Sequence, residues 1–323
     1  MARRKKTGTA SKFLKLVSVL IVGVAIGVVV VTVFFRETQP DKSNAPANYA
    51  PKPPITDLTP QVPSVKPPDV PPVVTLPPEI ITPSLPRLAV VIDDMGQDIG
   101  KLNDILNIGA PITIAVLPHL KHSTQTANDA RAKGLDVLLH LPMEPQLPEK
   151  NDPGKGALWT AMTPAEIRAQ IDKDFSSVPN AIGVNNHMGS KFTEDQQLMA
   201  EVMVIMKKKN LFFLDSKTTS KSVAANTARK AGVDNIDRNV FLDNIREVPA
   251  IKKRIAEAIM VAKRHGSAVA IGHPYPETIT ALKEFFSETR PEGVEIAKIS
   301  DVLRSKKGPH GSEQHIATKS KGD

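Results

Sequence analysis

The fold is indicated most directly by LAVVIDDMG (residues 88–96), in which five apolar residues run straight into two aspartates. A short apolar run of this kind is typical of a buried strand in a parallel sheet. The C-termini of parallel strands share one face, where the ligand sites of α/β proteins lie. We therefore predict an active site at these strand ends. An apolar run ending in Asp or His occurs five more times, at 112–119 (ITIAVLPH), 135–140 (LDVLLH), 181–187 (AIGVNNH), 211–215 (LFFLD) and 267–273 (SAVAIGH).

Helices are predicted between these strands. Thr163 and Glu166 have the spacing of a capping box with proline at the first helical position, and Thr193 with Gln196 repeats the spacing. Repeated β–α units predict an α/β domain over residues 88–304, with a mostly parallel sheet of about seven strands. Periodicity leaves open whether that sheet is open or closed into a barrel. Lys, Arg or His residues precede Gly134, Asn210, Gly232 and Gly266. Cations followed by a residue that favours the left-handed conformation are typical of helix C-termini, so these four positions are predicted helix ends.

The chain ahead of this domain has the composition of a membrane anchor and an extended linker. Residues 16–35 are 20 residues without a charge, the length of a bilayer-spanning helix. Residues 1–15 carry six Lys or Arg, so the positive-inside bias predicts a cytoplasmic N-terminus and a periplasmic domain at a bacterial inner membrane. A cleaved signal peptide is the alternative. Residues 36–87 hold 15 of the 28 prolines, which favours polyproline II, and 305–323 is predicted to be a disordered tail.

Charge and composition argue against several classes of function. Residues 1–87 hold 11 Lys/Arg against 5 Asp/Glu, and the remaining residues hold 31 against 29. The domain therefore lacks the charge excess of a nucleic-acid-binding face. The 323 residues include no cysteine, so a metal would be held by His, Asp or Glu. Neither a GxGxxG nor a P-loop motif follows a strand and GxSxG is absent, which argues against nucleotide cofactors and a serine nucleophile elbow.

Asp93 and Asp94 are the first candidates for chemistry, because two adjacent carboxylates repel each other and a bound cation would relieve the repulsion. One carboxylate could ligate a metal while the other takes a proton. A helix cap, supplied by Asp94 or Asp98, is the structural alternative. His140 and Glu144 have a His-x3-Glu spacing within a proline-containing segment. Glu144 is either a metal ligand or an exposed loop acid.

Two later strand ends carry histidines. His187 follows Asn185 and Asn186, and dense polarity directly after an apolar strand indicates a site, although turn chemistry gives a similar pattern. His273 lies in a loop stiffened by prolines, a placement that suits a general acid. Weaker candidates, for which a helix cap, a helix start or a poorly defined strand is the structural alternative, are Asp215, His119 and Asp243.

These residues stand in motifs that resemble a known family. The ordered set IDDMG, LHLPMEP, NNHMGS, FLDSKT and GHPYPE is similar to the divergent polysaccharide deacetylases, the YibQ-like group of the NodB-like polysaccharide deacetylase superfamily. The resemblance covers residues 86–304 and implies a distorted (β/α)7 barrel with a zinc-type site. It implies that Asp93 is the catalytic base, that Asp94 is a metal ligand and that His273 is the general acid.

The sequence departs from the superfamily in two motifs. The usual His-x3-His pair reads His140-x3-Glu144 here, and the region around His187 replaces the usual Arg-Pro-Pro-Tyr motif. We therefore expect Asp94, His140 and His187 to hold the metal, with Glu144 or His273 as substitutes.

The resemblance implies a zinc-dependent hydrolase that removes N- or O-acetyl groups from an envelope polysaccharide such as peptidoglycan. Two other interpretations stay open at this point. One is a catalytically inactive carbohydrate-binding or envelope scaffold on the same barrel. The other is a glycoside hydrolase that uses Asp93 with Asp215 as its pair of carboxylates.

Overall fold

The structure is a computed structural model that describes residues 85–288 and 292–306, in which strands alternate with helices. The strands are β1 (Arg87–Met95), β2 (Thr113–Val116), β3 (Val137–Met143), β4 (Gly183–Met188), β5 (Phe212–Asp215), β6 (Asn235–Asp237), β7 (Val240–Phe241), β8 (Ser267–Gly272) and β9 (Glu295–Ile296). The helices are α1 (Ile99–Leu106), α2 (Ser123–Ala132), α3 (Pro164–Ser177), α4 (Gln196–Lys208), α5 (Ala224–Ala231), α6 (Val248–His265), α7 (Pro276–Glu288) and α8 (Ile299–Lys306). A 3₁₀ turn, Phe192–Glu194, lies between β4 and α4.

The predicted membrane segment at 16–35 lies outside the described residues, as do the linker up to residue 84 and the tail beyond residue 306. Within residues 85–288 and 292–306, no helix combines the length and the apolar character needed to cross a bilayer. Among the described residues the first strand begins at Arg87, and the last helix extends to Lys306, two residues beyond the predicted limit of 304.

The strands of the described region form one sheet in which neighbouring strands are parallel. Their order is β6-β5-β4-β3-β2-β1-β8-β7, and β9 pairs with the start of β1. β1 therefore lies inside the sheet between β2 and β8, as expected for its continuous apolar run. The predicted α/β class and the parallel sheet are confirmed.

One extended segment, 235–242, bridges the two edges of the sheet. Its first part, β6, pairs with β5, and Arg238 N donates to the carbonyl of Asp215 at 3.0 Å. Its second part, β7, pairs with β8, and Asn239 N donates to the carbonyl of Val269 at 2.8 Å. The sheet is therefore curled, in keeping with a (β/α) barrel. The count exceeds the predicted seven because this segment is divided into β6 and β7, and because β9 adds a two-residue pairing.

Alternate residues of the strands face two apolar layers. In β1, Leu88, Val90 and Ile92 pack with the surrounding helices, whereas Ala89 and Val91 belong to a second cluster on the opposite face. The buried residues of α8 join this second cluster. Each apolar side chain of this size contributes about 1.5–3 kcal/mol when it is fully buried. The face that carries this second cluster is the inner face of the curled sheet. Since α8 also contacts Asp136 ahead of β3, it covers the inner face at the N-terminal ends of the strands.

The same alternation carries polar side chains to the other end of the inner face. Val91 is followed two residues later by Asp93, Leu138 by His140, and Ile271 by His273, and each pair shares a face because strand side chains alternate with a period of two. In the register of the sheet His140 pairs with Asn185. The residues that close the apolar runs therefore meet at the C-terminal ends of the strands.

The helix caps follow the sequence signals in part. The capping box at Thr163 is present: its hydroxyl accepts from Glu166 N at 3.3 Å, and the Glu166 carboxylate accepts from Thr163 N at 2.8 Å. The box predicted at Thr193 is wrong. Thr193 lies in the 3₁₀ turn and donates its hydroxyl to Gly189 O, while Asp195 caps α4. Asp98 caps α1, which leaves Asp94 free of that task.

Replacing Thr163 by alanine is expected to lower the free energy of unfolding by about 1 kcal/mol, because the backbone N–H of Glu166 loses the hydroxyl oxygen that accepts its hydrogen bond. Urea unfolding followed by circular dichroism measures the change. Thr280→Ala is the matched control, since Thr280 is an exposed residue inside α7. Equal stability of the Thr163 variant and the parent protein would contradict the capping role.

Candidate metal centre

A bulge near the end of β1 turns two consecutive carboxylates towards one place. The pairing of β1 with β2 shifts register between Ile92 and Met95, and Asp94 has a left-handed backbone with φ 56°. Bulges re-aim side chains next to functional sites, and Asp is among the few residues that tolerate this conformation. Asp93 is 3% exposed, whereas the Asp94 side chain is 31% exposed. Asp93 is therefore buried, whereas Asp94 is partly exposed to solvent at the C-terminal ends of the strands.

Asp94, His140 and His187 form a compact group of possible metal ligands. His140 Nε2 lies 3.2 Å and His187 Nδ1 lies 3.0 Å from Asp94 Oδ1, and the two nitrogens are 3.1 Å apart. Ligand atoms about 2.1 Å from one cation stand about 3.0–3.4 Å apart at octahedral to tetrahedral angles. Two imidazole nitrogens and a carboxylate oxygen in this triangle therefore fit one divalent cation.

The electrostatic state of Asp94 supports this fit. Burial would raise the pKa of Asp94, but His140 and His187 outweigh it and hold this pKa well below its usual range. The carboxylate is therefore ionised. Its Oδ1 atom is buried and accepts no hydrogen bond of good geometry, although both imidazoles are close. A cation inside the triangle would supply the partner that this oxygen lacks.

Asp93 lies against the same centre without joining the triangle. Its Oδ1 accepts from the Asn185 amide at 2.9 Å, and its Oδ2 lies 3.6 Å from His140 Nε2. Burial raises the pKa of Asp93, although His140 and His273 act in the opposite direction. Ionisation is thus less favourable for Asp93 than for Asp94. A carboxylate with a raised pKa next to a metal centre is suited to accept a proton.

His273 faces the centre from β8 and is held from behind by Asp243. Its Nδ1 lies 3.0 Å from Asp243 Oδ1, and its backbone N donates to Asp243 Oδ2 at 2.6 Å. Thr278 Oγ1 donates to the same Oδ2 at 2.8 Å. His273 Nε2 lies 3.8 Å from Asp94 Oδ2. Burial lowers the pKa of His273, but Asp243 and Asp94 raise it more, which favours an imidazole that carries a proton to donate.

Asp243 is the residue whose importance the sequence conceals. It ends an apolar run, VFLD, like the other site residues, but its strand β7 has only two residues. Its side chain is fully buried, and β7 pairs with β8, so it reaches the loop after β8. The run of apolar residues ending in Asp was the available signal, and the shortness of β7 weakened it.

Three other candidates are engaged elsewhere in the structure. Glu144 is 6% exposed and is neither of the predicted alternatives: its carboxylate accepts from Lys191 Nζ and Thr160 N, both at 2.6 Å. These contacts connect the loop after β3 to the loop after β4, outside the triangle. Burial would raise the pKa of Glu144, but Lys191 and Thr160 lower it more.

Asp215 and His119 also have structural partners. The two carboxylate oxygens of Asp215 accept from Lys217 N and Ser222 Oγ, both at 2.8 Å. Asp215 therefore stabilises the loop ahead of α5, and it does not cap that helix, for which Val223 is the N-cap residue. His119 Nε2 lies 2.8 Å from Asp174 of α3. It is therefore tied to α3 and stands outside the triangle.

The fold and the site together define an α/β protein with a curled parallel sheet and a candidate metal centre of carboxylate and imidazole groups at its strand ends. The chain belongs to the divergent polysaccharide deacetylase family, whose sequence profile matches residues 90–303. The resemblance seen in the sequence motifs is thus confirmed.

The proteins that are similar to this chain include two sequence relatives and one protein of solved structure. An uncharacterized protein of Haemophilus influenzae is 37% identical over 221 residues, 68% of this chain and 78% of the relative. The uncharacterized protein YibQ of Escherichia coli K12 is 38% identical over 217 residues, 67% of each chain. The crystal structure of an uncharacterized Agrobacterium tumefaciens C58 protein matches 68% of this chain and 89% of its own, with a TM-score of 0.65 and 23% identity. This last similarity supports the fold.

Proposed function

We propose that this protein is a metal-dependent carbohydrate deacetylase that hydrolyses acetyl groups from an envelope glycan. The observation that carries the proposal is the triangle of Asp94, His140 and His187, with two further groups against it. Asp93 Oδ2 lies 3.6 Å from His140 Nε2, and His273 Nε2 lies 3.8 Å from Asp94 Oδ2. This arrangement combines three metal donors, a proton acceptor and a proton donor at the C-terminal ends of the strands. Membership of the family supports a glycan as the substrate.

Zinc is the metal that we propose. Two imidazoles and one carboxylate are a donor set found in catalytic zinc sites, which leave one position open. The bound ion would supply Lewis-acid polarisation of the acetyl carbonyl and activation of a water molecule. A thiolate contribution is excluded because the chain has no cysteine.

The residues around the triangle divide the proton transfers. Asp93 would accept the proton of the attacking water at a carboxylate oxygen. His273 would donate the proton at Nε2 to the leaving amine or alkoxide, while Asp243 holds its Nδ1. Water is consumed, the bond from the carbonyl carbon to nitrogen or oxygen breaks, and acetate and the free amine or alcohol are released.

The side from which substrate would approach follows from exposure. Asp93 and His140 are nearly fully buried, whereas the side chains of Asp94, His187 and His273 are 31%, 15% and 16% exposed. The acetyl group would therefore enter over Asp94, between the two more exposed histidines.

We propose a periplasmic location for the domain, with the chain anchored in the inner membrane. The uncharged stretch 16–35 and the six preceding cations support the anchor, and the proline-rich stretch 36–87 supports an extended tether. Peptidoglycan would then be within reach. A single-cysteine variant near the N-terminus and another in the domain, labelled with an impermeant thiol reagent in intact and lysed cells, would test the orientation. Labelling of the domain cysteine only after lysis of the inner membrane would contradict it.

The function is tested with the full-length protein purified in detergent. We expect one equivalent of bound divalent metal, and acetate release from N-acetylglucosamine oligomers, peptidoglycan or acetylated xylan that a chelator stops and zinc restores. Absence of metal binding together with absence of acetate release with each added divalent ion would contradict the proposal. Glycan binding that persists in an Asp93→Asn/His273→Ala double variant, without turnover by the parent protein, would indicate the inactive scaffold instead.

A further inference from the structure

The carboxamide of Asn185 connects the buried carboxylate to one of the metal donors. Asn185 is 0% exposed and lies at the end of β4, paired in register with His140. Its Nδ2 donates to Asp93 Oδ1 at 2.9 Å and to Ser216 Oγ at 3.2 Å, and its Oδ1 lies 3.0 Å from His140 Nδ1. The uncharged side chain of Asn185 therefore contacts both the carboxyl group of Asp93 and the imidazole of His140.

These contacts fix which way the amide points. In the structure the NH₂ group of Asn185 faces the Asp93 carboxyl group, and its Nδ2 donates to Oδ1. The opposite orientation would set the amide oxygen against a carboxylate oxygen at about hydrogen-bond distance. The amide oxygen consequently faces His140 Nδ1.

The orientation of the amide also fixes the tautomer of His140. An amide oxygen only accepts, so a hydrogen bond to it requires that His140 Nδ1 carries the hydrogen. A neutral imidazole protonated at Nδ1 has its lone pair at Nε2, and Nε2 is the atom in the triangle with Asp94 and His187. The hydrogen bonds of Asn185 thus prepare His140 as a metal ligand.

We infer that Asn185 is a positioning residue that couples the proton acceptor Asp93 to the metal donor His140. It holds the Asp93 carboxylate through Nδ2 and selects the metal-binding tautomer of His140 through Oδ1. The inference concerning the metal rests on the proposed function, whereas the inference concerning the tautomer does not require catalysis.

Two variants separate the two contacts. Asn185→Leu removes both, and we expect the zinc affinity to fall about 10–100-fold, the usual effect of losing the partner that orients a ligating histidine. Asn185→Asp keeps an oxygen that accepts from His140 Nδ1 but sets a second carboxyl group against Asp93. Two buried carboxyl groups in contact share one proton instead of both ionising, so Asp93 is no longer free to accept a proton. We therefore expect the zinc affinity of this variant to stay within about threefold of the parent, while acetate release falls more than tenfold. Ser216→Ala removes only the third contact of Asn185 and is the matched control, with unchanged zinc affinity.

The tautomer is measured directly by two-bond ¹H–¹⁵N correlation spectra of protein labelled at histidine. We expect His140 to carry its hydrogen at Nδ1 in the parent protein and in Asn185→Asp, and to lose this preference in Asn185→Leu. Spectra of the metal-free protein are recorded at a pH at which His140 is neutral, because only a neutral imidazole has a tautomer to observe. Thermal unfolding shows whether each variant is folded, and Asn185→Asp keeps the test valid if the leucine variant unfolds.

The outcomes distinguish this inference from the proposed function. A parent protein with the Nδ1-protonated tautomer and the expected pattern of zinc affinities, but without acetate release, would sustain the inference and overturn the function. An Nε2-protonated His140, or a folded Asn185→Leu variant with the zinc affinity and tautomer of the parent, would overturn the inference whatever the activity.

Discussion

Replacement of Asp94 by asparagine is expected to remove tight metal binding and to lower kcat/KM for deacetylation about 10³-fold. Asp94 is the only anionic member of the triangle with His140 and His187. Losing its charge would forfeit several kcal/mol of stabilisation by the metal, and each 1.36 kcal/mol is tenfold in rate. Asparagine is the suitable replacement because it also tolerates the left-handed backbone at this position. Metal content by plasma emission spectroscopy and acetate release measure the two effects.

The control for this prediction is Asp98→Asn. Asp98 caps α1 four residues further along the chain, and asparagine caps a helix as well as aspartate does. The control removes the same charge from the same region and should keep both metal and activity. If Asp94→Asn retained one tightly bound metal and kcat/KM within about threefold of the parent protein, Asp94 would not be a ligand.

The strand ends could be predicted from the sequence because apolar runs and their polar terminators are local signals. Asp93, Asp94, His140, His187 and His273 each follow or close such a run, and the parallel sheet brings them to one face. Period-two alternation then places Asp93 and His140 on the inner face of the sheet. The α/β class and the strand-end candidates therefore follow from the hydrophobic pattern, whereas the barrel is implied by the family resemblance.

The partners of these residues could not be predicted, because they depend on contacts distant in sequence. Glu144 has the spacing of a ligand, but Lys191, 47 residues later, takes its carboxylate. Asp243 supports His273 only because β7 pairs with β8, and a two-residue strand leaves almost no periodic signal. The bulge that turns Asp94 towards the site is likewise a property of the pairing between β1 and β2.

The departure from the superfamily at His140-x3-Glu144 now has a physical account. Glu144 is bound by Lys191 and Thr160, outside the triangle, so the usual second histidine of that motif has no counterpart there. In the proposed site His187, from β4, would supply the third donor atom instead. The triangle therefore stays complete, because β3 and β4 are adjacent and their ends lie side by side.

Replacement of Asp93 by asparagine is expected to lower kcat about 10²–10⁴-fold while the bound metal is retained. The change removes the proton acceptor, and general base catalysis is worth about that factor. Asparagine preserves the size of the side chain, and its oxygen can still accept from Asn185 Nδ2. The triangle of Asp94, His140 and His187 is untouched. Stopped assays of acetate release at saturating substrate, with metal content measured on the same sample, test the prediction.

Asp93 and Asp94 are neighbours in sequence, so their asparagine variants are matched controls for each other. Each replaces one carboxyl group of the same site by a carboxamide, but only Asp94→Asn should release the metal. If Asp93→Asn also lost the metal, Asp93 would be a ligand, since its Oδ2 lies 3.6 Å from His140 Nε2. If it kept both metal and full kcat, the proton would be accepted elsewhere. The assignment of one carboxylate to the metal and the other to the proton therefore stands on the difference between the two variants.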